Sequence, residues 1–133
     1  MHPATLLSDA LGEVKDVELK TLQLFNLRET TNTLREEIAG HEAAIYDEIC
    51  SELDESTGKP VYSNDGARKA AALKRQLNHV ELVAARNALR SKTREAVKLE
   101  AAIATLTSSV SLRKAFLHGG NFVPVIEGKA AGN

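Results

Sequence analysis

Asp54-Glu55-Ser56-Thr57-Gly58-Lys59-Pro60-Val61-Tyr62-Ser63-Asn64-Asp65 is the one stretch in the middle of the chain that combines a glycine with a proline. Gly58 can take the left-handed conformation that closes a helix, and Pro60 blocks its continuation. Ser63 or Asn64 can cap a following helix, with Asp65 near its positive end. The other prolines are Pro3 and Pro124. Proline costs ~3 kcal/mol inside a helix, so the two long proline-free spans on either side invite continuous helices. The expected fold is therefore all-α: a long antiparallel two-helix hairpin, coiled-coil-like, that associates into a helical bundle. Its expected parts are an N-terminal extension (1–12), a helix (13–55), a turn (56–63), a helix (64–117) and a flexible C-terminal tail (118–133). Gly58, Pro60, Tyr62 and Ser63 carry the turn. The tail follows from the adjacent Gly119 and Gly120 and the small residues near the end.

Outward from the turn, apolar residues keep a helical period. Leu24, Leu27, Thr31, Leu34, Ile38, His41 and Ile45 alternate three and four apart, the spacing of a coiled-coil seam, and Ile49 and Leu53 continue it with a drift. On the second span, Leu82, Ala85, Leu89, Lys92, Ala96, Leu99, Ile103, Leu106 and Val110 form one stripe. Leu73, Leu77, Val80 and Ala84 form another, one position out of phase. Either a register shift near Leu82 to Ala84 reconciles the two, or they face different partners. Helices of this length would span about 60 and 80 Å. Folding at Lys59 pairs residues whose numbers sum to about 119. His41 then meets Asn78, Ile45 meets Leu73, Ile38 meets Leu82 and Leu34 meets Ala85.

Charge supports the pairing. Residues 1–58 hold four Lys/Arg against thirteen Asp/Glu, whereas residues 63–117 hold eleven against four. An acidic helix attracts a basic one and resists parallel self-pairing. Composition narrows the class further. At 133 residues the chain is one domain, and 26% charged with 43% hydrophobic residues is neither disordered nor membrane-like. A single cysteine excludes an internal disulfide and a multi-cysteine zinc site. Met1-His2-Pro3 lacks a basic region before an apolar run, so no signal peptide is expected, and the expected location is the cytoplasm. Only 4% of residues are aromatic, so aliphatic side chains and alanine must build the interior. Alanine recurs at several angles on the second span, which permits close approach on more than one side and points to association.

Few constellations suit chemistry. His41 and His79 can approach across the hairpin with Glu37, Glu42 and Glu81 nearby, a set suited to zinc or iron. The di-iron bundle pattern needs Glu three residues before each His, but residues 38 and 76 are Ile and Gln. The expected reading is a polar register layer of His41 with Asn78, with no metal and no cofactor. Cys50, beside Ile49 and without a nearby base, reads as a buried structural thiol. The carboxylates Glu36, Glu37, Asp47, Glu48 and Glu52 read as a solvated flank. Thr57-Gly58-Lys59 lacks the upstream glycine and following hydroxyl of a phosphate loop. No catalysis and no small-molecule substrate are expected.

Arg86, Arg90, Arg94 and Lys98 recur every four residues, a basic stripe roughly 18 Å long. In the expected register they face residues 21–33, where Glu29 is the one acid, leaving the stripe for phosphates or an acidic protein surface. The phrase Gly58-Lys59-Pro60-Val61-Tyr62-Ser63-Asn64, with Arg68 following, resembles the turn of small helical-hairpin proteins encoded in bacterial and phage genomes. Gly66 departs from the acidic residue expected there. The resemblance implies an accessory protein connected with DNA transactions and supplies no catalytic residue. Two functions therefore stand: a non-catalytic scaffold or adaptor that forms a homo-oligomer or docks on a larger protein, and a nucleic-acid-binding accessory protein using the basic stripe. No membrane contact is expected.

Overall fold

The computed structural model describes residues 3–117, and they form three helices: α1 (Pro3–Ser51), α2 (Asp65–Leu77) and α3 (Val80–Leu117). The chain is all-α, and the two long helices pack against each other. They contribute to two compact units, one spanning Leu27–Arg94 and the other joining residues 3–26 to 95–117. The expected tail at 118–133 lies outside the described residues.

Three expectations about the elements are corrected. Residues 3–12 belong to α1 rather than to an extension, because proline is accepted in a first helical turn and good helix formers follow. The helix ends at Ser51, four residues before its expected end. The span 64–117 is not one helix, since it breaks at Asn78–His79.

Within Leu27–Arg94, the core is a cluster of Ile38, Ile45, Ile49, Ala72, Leu82 and Ala85, with Tyr46, Tyr62, Ala71 and Leu89 packed against it. Leu82 and Ile49 are the most deeply enclosed, at 0% and 1% exposure. Thr31 is buried in the same seam, and its hydroxyl donates to the Arg28 carbonyl at 2.9 Å, so the helix itself satisfies it. Ile38, Leu82 and Ala85 thus share an interior as expected. Leu73 does not join Ile45 there: it is exposed, and Ala72 occupies the core instead.

The turn closes through backbone bonds. Asp54 N–H donates to the Lys59 carbonyl at 2.7 Å and Val61 N–H to the Glu52 carbonyl at 3.0 Å, around an isolated antiparallel bridge between Leu53 and Pro60. Gly58, at φ 69°, donates its N–H to the Asp54 carbonyl at 2.7 Å. Only glycine adopts that φ without strain. Asn64, rather than Ser63, caps α2, its side chain accepting from Ala67 N–H at 2.7 Å. Tyr62 leaves the turn to lie against the core cluster.

The break between α2 and α3 uses side chains in place of glycine or proline. Asn78 N–H turns back to the Arg75 carbonyl and His79 N–H to the Gln76 carbonyl, both at 3.2 Å, tightening the last turn. Asn78 Nδ2 donates to the Lys74 carbonyl at 3.3 Å. His79 Nδ1 then accepts from Leu82 N–H at 3.1 Å and so caps α3. Arg86 Nη2 spans the break to Gln76 Oε1 at 2.8 Å.

In the other unit, Ala10, Leu24 and Val110 are buried. Glu13 and Arg113 form an ion pair at 2.7 Å, with Glu13 Oε2 buried. Leu11, Leu22, Phe25, Val97, Leu112 and Phe116 remain exposed in this unit.

Candidate functional site

Within Leu27–Arg94, a group of ionisable side chains surrounds His41. Its place in the α1 seam holds it between the buried Ile38 and Ile45, and its side chain is 24% exposed. His79 lies beside it through the helix break, with ring centroids 5.1 Å apart and planes tilted by 48°. The partner of His41 is therefore His79, not Asn78, which is exposed and serves as the C-cap of α2. The two are adjacent in sequence, yet the break turns them to different sides. His41 Nε2 also stands 3.7 Å from Glu37 Oε1 and 4.0 Å from Glu81 Oε2. A ring nitrogen of each histidine and a Glu81 oxygen all lie within 4.8 Å of one another.

Charged contacts continue on both sides of this layer. Arg75 Nη2 donates to Glu52 Oε1 at 2.9 Å, and Nη1 lies 3.9 Å from Glu48. The Glu52 hydrogen bond holds the Arg75 guanidinium above its ordinary range. Arg86 lies 3.8 Å from Glu42. These pairs link the acidic helix to the basic elements, as the charge segregation leads one to expect, but they are half-exposed and select register more than they stabilise.

Near the turn, Asp65 accepts from Lys69 at 3.0 Å and from the Tyr46 hydroxyl at 3.2 Å. The Lys69 bond chiefly holds Asp65 below the ordinary carboxylate value, and the same bond raises Lys69. Tyr46 is raised mainly by partial desolvation, then by its bond to Asp65. Cys50 is exposed and free, which corrects the buried thiol: α1 presents Ile49 to the core and the next residue to solvent.

The basic stripe divides. Arg86, Arg90 and Arg94 border a shallow groove of about 440 Å³ with Leu89 and Thr93, all within Leu27–Arg94. Arg86 contacts Gln76 and Glu42 rather than facing residues 21–33, and Arg90 donates to Asn87 at 3.3 Å. Lys98 belongs to the other unit, where it is exposed.

The second apolar stripe has a different fate from the first. Leu82, Ala85 and Leu89 pack inward, whereas Leu73, Leu77 and Val80 are 63%, 73% and 82% exposed. Their phase difference reflects the break at Asn78–His79, several residues before the expected shift. Beside them, α2 lines a groove of about 600 Å³ with Ala67, Ala70, Ala71 and Tyr62.

In comparisons with known proteins, no family, no curated protein and no solved structure matches the chain. No described helix is long and apolar enough to cross a membrane.

Proposed function

We propose that this protein is a non-catalytic helical scaffold that acts by association with further copies of itself, forming a helical bundle. The observation that carries this reading is the exposure of Leu73 and Leu77, one helical turn apart on α2, and of Val80 at the start of α3, while neighbouring small residues such as Ala72 and Ala85 fill the interior. Leaving three large aliphatic side chains in water forgoes on the order of 1.5–3 kcal/mol each, which a contact between chains recovers. Exposed Leu22 and Phe25 in the other unit support the same need for a partner. Two packed helices enclose little surface, and pairing two such layers is the common remedy.

The test is mass in solution by light scattering on a sizing column. The native chain is expected at twice 14.4 kDa or more. The triple variant Leu73→Ser, Leu77→Ser, Val80→Ser is expected to lose association while keeping its helicity, because all three side chains are exposed. A compact native monomer overturns the reading. If the triple variant keeps the native mass, this face is not the interface.

The groove bordered by Arg86, Arg90 and Arg94 supports a second reading, an accessory protein that meets nucleic-acid phosphates. Such binding would weaken steeply with salt and fall when Arg90 and Arg94 become Gln. Arg86 is already engaged with Gln76 and Glu42, which leaves fewer cations for phosphate and ranks this reading below association. Retention on a DNA column, measured against salt, separates the two.

A further inference from the structure

We propose that His41, His79 and Glu81, joined by Glu37, form a binding site for a first-row divalent cation, zinc by preference, which ties α1 to the junction between α2 and α3. The site lies wholly within Leu27–Arg94 and does not depend on the association face.

The donors come from three places that the fold brings together: the α1 seam, the break and the first turn of α3. Three donor atoms already sit within 4.8 Å of one another, and a Glu37 oxygen, outside that trio, lies 3.7 Å from His41 Nε2. Tetrahedral zinc with N and O bonds near 2.0–2.2 Å separates its ligands by about 3.4 Å. Closing the observed gaps takes small rotations. Glu81 and Glu37 make these readily, with side chains 75% and 51% exposed. Two imidazoles with carboxylates suit zinc, cobalt or nickel, whereas magnesium and calcium prefer all-oxygen sites. A cation also offsets the two carboxylates gathered around the imidazole pair. The arrangement differs from the di-iron pattern considered from sequence, since Glu37 precedes His41 by four residues and Glu81 follows His79 by two.

Binding has a structural consequence at His79. Its Nδ1 accepts from Leu82 N–H, so the neutral ring carries its proton on Nε2. A metal bound at Nε2 moves that proton to Nδ1, and a metal bound at Nδ1 takes the lone pair directly. In both cases Leu82 N–H loses its acceptor and the α3 cap is exchanged for the metal. Loading therefore marks a buried residue that touches no metal.

The experiment titrates the full chain with zinc chloride, read by calorimetry, thermal melting and amide NMR. The expected result is one zinc per chain, a rise in Tm of about 10 °C at a hundredfold excess over Kd, and reversal by chelator. The Leu82 amide resonance is expected to move with the same saturation. His41→Ala and His79→Ala are each expected to weaken binding at least roughly tenfold. Glu81→Gln, at a side chain 75% exposed, is expected to weaken it severalfold. Circular dichroism confirms that each variant remains helical. No binding below about 0.1 mM zinc overturns the proposal. So does binding that survives both histidine variants, or that is lost instead in Cys50→Ser.

Discussion

Gly58 and Asp54 show how single residues set the turn. A Cβ at Gly58 would meet nothing within 4 Å, so the φ of 69° alone penalises a substitution. Gly58→Ala is expected to lower stability by about 1–2 kcal/mol in urea unfolding, with the slope unchanged. No loss would mean that the turn readily takes another shape. Asp54 accepts from the Ser56 hydroxyl and from the Ser56 and Thr57 N–H groups. Those bonds, the hydroxyl's foremost, hold its carboxyl below the ordinary value of 3.8. A depressed folded value means that the carboxylate stabilises the fold above its unfolded value. That contribution disappears as pH falls below about 4 and through the folded value. The Tm of Asp54→Asn is accordingly expected to drop less than that of the native chain between neutral and acid pH. Parallel curves would show that Asp54 carries none of the acid sensitivity. The role of Gly58 was readable from the sequence because it is set by one residue's own conformation, whereas the bonds to Asp54 were not among the expectations and came from the structure. Identifying Asn64 rather than Ser63 as the cap took the backbone geometry, since both side chains are capable of it.

At the scale of the element, the α1 seam was legible and the α2–α3 break was not. Leu24, Thr31, Ile38 and Ile45 are buried, with Leu27, Leu34 and His41 half-buried between them, as the three-four spacing requires. Ile38→Asp places a carboxylate in the core cluster without a partner and is expected to abolish the cooperative melt. Leu73→Asp, on the exposed face, is expected to leave helicity intact; if the two melt alike, interior and exterior have been exchanged. The break escaped notice because Asn78 and His79 are tolerated inside a helix as well as at its end. What stops the helix is a set of side-chain and backbone bonds that exist only once the turn has formed. Without that break, Leu73 and Leu77 look as apt for the core as Leu82. With it, Ala72 goes inside.

For the whole molecule, segregated charge and incomplete burial matter most. The negative first span and positive second span nearly cancel, and cross-helix pairs such as Glu52–Arg75 and Glu13–Arg113 use that difference. Exposed large apolar side chains occur in both compact units, so stability is expected to draw on contacts between chains. Linkage then makes the melting temperature rise with protein concentration. A Tm that stays constant over about a hundredfold range of concentration would leave the chain self-sufficient and remove the basis for the scaffold reading.

The sequence by itself determined the helical class, the turn at Gly58 to Pro60 and the inward face of α1. Proline placement, glycine conformation and side-chain period act over a few neighbouring residues. Only the tertiary structure decided that His79, not Asn78, meets His41, that Leu73 and Leu77 point outward, and that Arg86 is held by Gln76 and Glu42. Those outcomes hang on one interruption between two helices. A rotation there redirects every following side chain, and no local rule of spacing can register it.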